Sequence, residues 1–430
     1  MFTVHDYSWL DSPESQRHWQ AMAQDPSVPA SVILKQLRHS LTIPQASLLL
    51  EQYELLNASR KKVANPVDWF WTRQLLEQSS DEETASEAAM DFPGEALVHD
   101  ICCGAGADSI AIARRGISVS ASDRSSIACY LTRRNALSHK LNIDVTEASA
   151  EECEIDPSGY VHIDPDRRSD GRRFSNLESL SPSWEAVRKI SENCLGMSLK
   201  LAPGMRLDSS TKAQMDRPPE SIRFLSKEGS VRQQRWYWGI ERWPRNSITL
   251  SLYLNEPAFQ RAVHFHSKKL ATNSLDPVKH RGWFHESFLE SECQVRRVGS
   301  SVVVNALHHY IADYDPSVRA AELSPQFASR YGWQLLSSNS GYITSQDRMV
   351  HPMVRWFEVI ENLPLDRRQL KAFAKNVRTR SWELKSRGID LDLEQVRKGL
   401  PTDRSSTTQT TILFTKIGEQ HRAIVCKEVD

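Results

Sequence analysis

The chain predicts an α/β fold: a doubly wound, Rossmann-like parallel sheet with a helical N-terminal region and small α+β domains at the C-terminal end. Three observations predict it. An apolar segment, Leu97–Ile101, carries Asp100 into a turn with two glycines, Gly104 and Gly106, and then into an apolar helix over Ser109–Arg114. A second acid, Asp123, closes the next short apolar segment. Segments of strand and helix character alternate from there to residue 254. Strand, glycine turn, helix and second acid, in that order, form the nucleotide-binding corner of such a sheet. The alternation implies parallel strands with helices on both faces.

Taken in order, Ser31–Arg38 and Pro44–Ser59 carry Val, Ile and Leu at helical spacing, and Pro44 suits a first helical turn. Residues 1–60 are therefore expected to be helical. Trp69-Phe70-Trp71 reads as core rather than as a base-stacking platform. The acidic stretch Glu77–Glu87 reads either as a solvated helix end or as a flap over the glycine turn. Strands are expected at Leu97–Ile101, Ser118–Ala121, Tyr160–Ile163, Met197–Leu201, Ser221–Ser226 and Ser247–Leu254, and helices at Ile127–Leu137 and Pro182–Cys194. The Arg-, Pro-, Gln- and Trp-rich residues 205–245 are expected to be irregular in part. These readings give a sheet domain over 61–255, a linker and small segment over 256–355, and a last domain over 356–430.

Bulk composition narrows the function. At 430 residues the chain can build two or three cores. Its 54 basic residues balance 54 acidic ones, so a nucleic-acid site must be a local patch rather than a global field. No apolar run approaches a membrane span, and Met1–Asp6 lacks the charged start and apolar core of a signal peptide. Seven cysteines, odd in number and never spaced C-x-x-C, argue against a disulfide framework or a zinc site. A cytoplasmic protein with no membrane partner and no metal is expected. Cys102 and Cys103 read as small buried filler.

The details of the turn select the nucleotide. A dinucleotide site wants a third glycine where Ser109 stands, because a pyrophosphate rests on the helix N-terminus. Asp100 and Asp108 flank the turn, and two carboxylates repel a pyrophosphate but suit an amino group and a sulfonium. The pattern D-x-x-x-G-x-G resembles motif I of class I S-adenosylmethionine methyltransferases. That resemblance implies S-adenosyl-L-methionine as cofactor, held by Asp100, Gly104, Gly106, Asp108 and Asp123, the last on the ribose hydroxyls.

A second motif is Val161-His162-Ile163-Asp164-Pro165-Asp166-Arg167-Arg168, a strand ending in Asp-Pro. Ligands in open α/β sheets bind beyond the carboxyl ends of strands, so Asp164 is expected near the glycine turn. Pro165 biases Asp164 toward extended backbone and sets where its groups point. Such a group could orient a nitrogen for in-line attack on a methyl group. Arg167 could stack on a base or bind a phosphate, or else pair with Asp166 or Asp170; Arg168 is a candidate substrate contact. The Asp-Pro-Pro-aromatic loop of amino-group methyltransferases is matched only in part. The nucleophilic cysteine that 5-methyluridine formation needs is absent from Leu201-Ala202-Pro203-Gly204.

Further segments resemble a bacterial family, the class I methyltransferases with ferredoxin-like and THUMP-like C-terminal domains. Leu76–Ala85 is similar to its segment before motif I, and Asp164–Arg168 to its Asp-Pro-Ala-Arg-Arg, with Asp166 replacing alanine. Leu199–Gly204 resembles its Lys-x-Ser-Pro-Gly. Tyr314–Ala320 and Gly341–Ser345 resemble the ferredoxin-like part, and Arg355–Val359 and Thr411–Thr415 the ends of the THUMP-like part. In the last region Arg367, Arg368, Lys371, Lys375, Arg378, Arg380, Lys385 and Arg387 face one acid in the same span, Glu383. Lys371, Lys375 and Arg378 share a face if Leu370–Val377 is helical. The stripe is either a solvated helix face or a phosphate-binding surface to which Arg380 adds. THUMP domains in general bind tRNA ends, so the resemblance implies RNA, and tRNA within that class, as the partner. The reading is a methyltransferase acting on a base nitrogen of RNA; the rivals are an RNA-binding protein with this fold but no methyl transfer, and a small-molecule methyltransferase.

Overall fold

The computed structural model describes residues 2–166, 168–169, 172–173, 177, 180–205, 215–254, 282–293, 302–337 and 340–429. Arg167, Asp170 and the expected boundary near Glu256 lie outside the described residues. The chain divides into two compact units, Met1–Ile222 with Gln234–Arg245, and Arg223–Gln233 with Asn246–Asp430.

The first unit is built on a sheet whose parallel strands are β1 (Leu97–Ile101), β2 (Ser118–Asp123), β3 (Asp144–Glu147), β4 (Tyr160–Ile163) and β5 (Gly196–Leu201). The next two strands are β6 (Ser221–Lys227) and β7 (Ser230–Trp238). The order within the unit is β7-β5-β4-β1-β2-β3, and β7 runs antiparallel to β5. Helices Ala107–Ala113, Ser126–Ser138 and Trp184–Glu192 make the crossovers. The glycine-turn helix starts two residues before the expected Ser109, because Gly106 at φ 87° is its left-handed N-cap.

Two strands escape a periodicity reading. In β3 only Val145 is buried, so its apolar signal is a single residue. In β7, from Gln233 to Trp238, every residue is buried, polar and apolar alike. Both faces are covered, and the alternation that marks a half-exposed strand never develops. This strand lies within the region expected to be partly irregular.

The N-terminal helices fold onto the same unit. Tyr7, Leu10, Trp19, Leu37, Leu49 and Tyr53 form one cluster with Phe70 and with Leu131 of the second crossover helix. Trp69, Phe70 and Trp71 are 4 %, 0 % and 1 % exposed, so this triplet is core. Trp69 and Trp71 stack with ring centroids 4.9 Å apart. The peptide groups of this extended segment are paired by side chains. The Gln52 amide bridges the N–H and carbonyl of Trp71, and the Asn135 amide bridges those of Phe70. Asn135 also donates to the carbonyl of Ala105, at 3.0 Å. A buried amide left unpaired would cost about 1–3 kcal/mol, so these bridges fix the glycine turn against the N-terminal scaffold.

The second unit holds two groups of strands. Strands β8 (Ser247–Leu254) and β9 (Gly282–Leu289) are antiparallel, and β8 lies beside β6. An eight-stranded mixed sheet holds β10 (Val303–Val304), β11 (Tyr310–Tyr314), β12 (Gln334–Leu336), β13 (Tyr342–Ser345), β14 (Val354–Pro364), β15 (Ser381–Ser386), β16 (Gln409–Ile417) and β17 (Gln420–Val429). Its order is β10-β12-β13-β11-β14-β17-β16-β15. Asp313 on β11 still reaches Lys385 on β15 at 2.8 Å across three intervening strands, so the sheet is strongly coiled.

The helix Arg367–Ala374 buries Leu370 and Ala374 against Trp382, Leu384, Ile412 and Phe414 of this sheet. It ends at Ala374, with Lys375 as C-cap, and does not run on to Val377 as expected. Beyond the cap the chain leaves helical geometry and leads to a buried Thr379, whose hydroxyl donates to the carbonyls of Ser381 and Thr408. That anchor turns the backbone toward β15.

Candidate active site

The ends of β1, β2 and β4 converge. Past the regular ladders, the Asp164 N–H donates to the Ile101 carbonyl at 3.3 Å, and the Cys103 N–H to the Ser122 carbonyl at 3.0 Å. The glycine turn, Asp123 and Asp164 therefore stand side by side at the carboxyl edge of the sheet.

The turn is held in shape by its backbone. Cys102, Gly104 and Gly106 have φ of 62°, 60° and 87°. A Cβ on Gly106 would lie 3.0 Å from the Thr132 methyl, so this position excludes a side chain on both counts. Cys102 is partly exposed and left-handed, which corrects the expectation that both cysteines are buried filler; Cys103 is buried. Asp123 accepts from the Gly104 N–H at 3.0 Å and the Ser125 N–H at 2.9 Å. Burial pushes its carboxyl above the usual range, and those two N–H groups oppose the shift.

Asp100 and Asp108 divide into different roles. Asp100 is 1 % exposed and accepts a hydrogen bond from the Ser109 hydroxyl. Burial pushes its pKa up to about 6. Asp108 is engaged with the chain's own donors. Its carboxylate accepts from the Ser80 hydroxyl at 2.8 Å and lies 3.7 Å from Lys200 Nζ, 3.4 Å from Arg235 and 3.9 Å from His162. Burial works against its charge, but Lys200, then His162 and Arg235, outweigh that and hold it well below the usual carboxylate range.

Lys200 ties this network to Asp164. Its side chain is 4 % exposed, and Nζ lies 2.5 Å from Asp164 Oδ2 and 3.0 Å from Ser80 Oγ. Ser80 reaches this place because the chain before it is pinned. Lys62 Nζ donates to the carbonyls of Leu76, Glu77 and Ser79, which caps the preceding helix end. The acidic stretch is thus a packed wall of the site, and its helix Glu82–Ala89 buries Glu87 beside Arg242.

The loop after β4 is also tied down. Asp166 accepts from the Gln78 amide at 3.2 Å, exchanges two backbone hydrogen bonds with Ser181, and lies 3.9 Å from Arg124. Pro165 is buried between the two acids. Arg168 stands in a two-residue strand, Arg168–Ser169, paired with Arg172–Arg173.

Lys200, His162, Arg235 and Ser80 are the residues that sequence reasoning missed. A signal existed: Lys200 is the one charge in Met197-Ser198-Leu199-Lys200-Leu201, a buried strand, and a buried lysine needs a partner. In the second unit, Lys371, Lys375, Arg378 and Arg380 are all exposed, as are Arg367 and Arg368. Lys385 and Arg387 instead pair with Asp313, and Glu383 pairs with Arg355, so the far part of the basic stripe is internal.

Residues 354–428 match the family model described as THUMP domain-like. A Mycobacterium tuberculosis protein described as an uncharacterized S-adenosylmethionine-dependent methyltransferase is 24% identical over 352 residues, 81% of this chain and 85% of the relative. It matches equally in two strains. The crystal structure of a "putative methyltransferase" from Porphyromonas gingivalis W83 superposes with a TM-score of 0.70 at 18% identity, covering 96% of this chain and 98% of the other. The fold is shared along nearly the whole of both chains. Among the described residues no helix is long and apolar enough to cross a membrane, and no group of three or more His, Cys, Asp or Glu could hold a metal.

Proposed function

We propose, for a chain with a class I methyltransferase fold and a THUMP domain-like segment at its end, that it transfers a methyl group from S-adenosylmethionine to a base nitrogen of RNA, with tRNA the first candidate. The carrying observation is the convergence of the glycine turn, Asp123 and Asp164 on neighbouring strand ends.

The donor set fits the cofactor. Asp123 offers a carboxylate for vicinal ribose hydroxyls. Gly104 and Gly106 give the turn its left-handed backbone, Gly106 packed against Thr132, and Asp100 and Asp164 favour a positively charged ligand over a pyrophosphate. Asp108 anchors the neighbouring network and acts on the site through it. S-adenosylmethionine supplies an electrophilic methyl on a sulfonium. The chain's own work is positional: Asp164 accepts a hydrogen bond from the incoming nitrogen and aims its lone pair. Asp166 is built into the wall of the site by Gln78, Arg124 and Ser181, so its replacement of a small residue is accommodated locally. Arg167 and Arg168 follow directly and are assigned to the acceptor.

RNA as acceptor rests on the THUMP domain-like segment and on the exposed Lys371, Lys375, Arg378 and Arg380. A cytoplasmic setting belongs to the same reading and is supported by six free cysteines, Cys102, Cys103, Cys129, Cys153, Cys194 and Cys426. Titration calorimetry tests the cofactor site. S-adenosylmethionine should bind with micromolar-scale affinity, and Asp123→Ala should weaken it by roughly 1.5–3 kcal/mol through loss of a charged acceptor. Binding of NADH in place of S-adenosylmethionine would overturn the assignment.

A further inference from the structure

We infer that Lys200 is a positioning residue for Asp164, and that the pair restricts the acceptor to a base nitrogen that carries a hydrogen. The inference rests on the methyltransferase reading above and deepens it.

Lys200 stands where a lysine is costly. Lys200 lies in the middle of the sheet, on a strand flanked on both sides, with its side chain 4 % exposed. A cation in such a place is held by partners or not at all. Its ammonium has three hydrogens. One meets Asp164 Oδ2 at 2.5 Å and one meets Ser80 Oγ at 3.0 Å, while Asp108 Oδ2 lies 3.7 Å away. Ser80 donates its own hydrogen to Asp108 at 2.8 Å, so hydroxyl, ammonium and carboxylate lock one another. His162 Nε2 lies 3.9 Å from the same Asp108 oxygen, and Arg235 lies 3.4 Å from the other. The ammonium therefore has little freedom to follow Asp164; Asp164 must come to it.

This fixes which oxygen of Asp164 is available. Oδ2 is taken by Lys200. Oδ1 has no hydrogen-bond partner among the described residues, and the side chain keeps 21 % of its surface exposed. The backbone of Asp164 is clamped to β1 through the Ile101 carbonyl, and Pro165 follows. An ion-paired carboxylate carries no hydrogen to donate; it only accepts. The atom presented to Oδ1 must then be a donor. An exocyclic amino group or a ring N–H meets that demand. A ring nitrogen with only a lone pair would set two acceptors face to face, with the cost of an unpaired polar contact in a partly dry site.

The step balances. The nitrogen lone pair forms the new N–C bond, the S–CH3 bond breaks with its electrons retained on sulfur, and the nitrogen's hydrogen leaves as a proton through Asp164 Oδ1 to water. Lys200 touches neither reacting atom.

The test compares wild type with Lys200→Met and Lys200→Arg, using tritiated S-adenosylmethionine, total RNA and nucleoside mass spectrometry. Loss of a precisely held group should lower kcat by about 100-fold in Lys200→Met, with KM for S-adenosylmethionine within about threefold of wild type. Lys200→Arg keeps the charge and should recover about tenfold of that loss. If Lys200→Met does not fold, Lys200→Arg carries the comparison alone, with kcat below wild type and KM unchanged. The methyl group should be found on an exocyclic amine or former ring N–H. Wild-type turnover with unaltered kcat in both variants would overturn the positioning role alone. A product methylated on a nitrogen that had no hydrogen, such as N7 of guanine, would overturn the restriction on the acceptor. Absence of any wild-type turnover, with S-adenosylmethionine unbound, would bring down the methyltransferase reading and this inference with it.

Discussion

Asp100 shows how a single residue couples the site to stability. Its carboxyl is buried, accepts from Ser109, and has a pKa near 6 against about 3.9 in an unfolded chain. The folded state therefore holds a proton that the unfolded state has lost between about pH 4 and pH 6. Stability contributed by this group is present below pH 4 and is lost as pH rises through 6. Over two pKa units that is on the order of 3 kcal/mol. Asp100→Asn keeps an acceptor for Ser109 and removes the titration. Denaturant unfolding should find it more stable than wild type at pH 7, with the gap closing toward pH 4. A gap of equal size at both values would mean that Asp100 does not titrate in this window. At this scale Asp164 is legible in the sequence because it closes an apolar run before Pro165, and Asp100 and Asp123 because they mark the strands before and after the glycine turn. Lys200 is legible only as a lone charge in an apolar strand, and the convergence of Lys200, His162 and Arg235 on Asp108 is not, because only the sheet brings the three together.

At the scale of elements, the strands at Leu97–Ile101 and Tyr160–Ile163 are legible to the residue, because the first is a short run leading into the glycine turn and the second is closed by Asp164-Pro165. The strand Ser230–Trp238 is hidden by its buried glutamines and arginine. The glycine turn makes a sharp prediction. Gly106→Ala would place a Cβ 3.0 Å from Thr132 in a left-handed conformation, and should destabilise the protein by about 2 kcal/mol in denaturant unfolding. A stability equal to wild type would show that the turn can relax. The helix Arg367–Ala374 is legible in its amphipathic character but not in its length: it ends at Ala374, and the chain runs on to Thr379, buried and bonded to the Thr408 carbonyl 29 residues away. Lys371 lies in its last turn, Lys375 caps it, and Arg378 follows outside regular secondary structure. All three still point to water, so their joint change to Ala should weaken RNA binding across sequences. The slope of log affinity against log salt should fall by up to about 2.7 for a duplex contact, or about 2.1 for single strands. An unchanged slope in filter binding would reduce this face to solvated surface, while S-adenosylmethionine affinity should be untouched in either case.

At the scale of the whole molecule, the first unit supplies every group assigned to the cofactor and to methyl transfer, and the second supplies the exposed cations assigned to RNA. The segments on either side of residue 355 contribute to one continuous sheet, because β14 pairs with β11 on one side and β17 on the other. Composition alone hides this union, since β-strands far apart in sequence leave no local sign of their pairing. A chain of zero net charge can still carry local concentrations of charge: Arg367, Arg368, Lys371, Lys375, Arg378 and Arg380 are exposed close together in sequence, while Asp100, Asp108 and Asp123 lie around the glycine turn. The most direct measurement is label transfer from tritiated S-adenosylmethionine to total RNA by wild type and Asp164→Ala, followed by nucleoside analysis. Label is expected on a base nitrogen with wild type and nowhere with Asp164→Ala, whose S-adenosylmethionine affinity stays within a few fold. Equal label transfer by both proteins, or label in small molecules with none in RNA, would contradict that expectation.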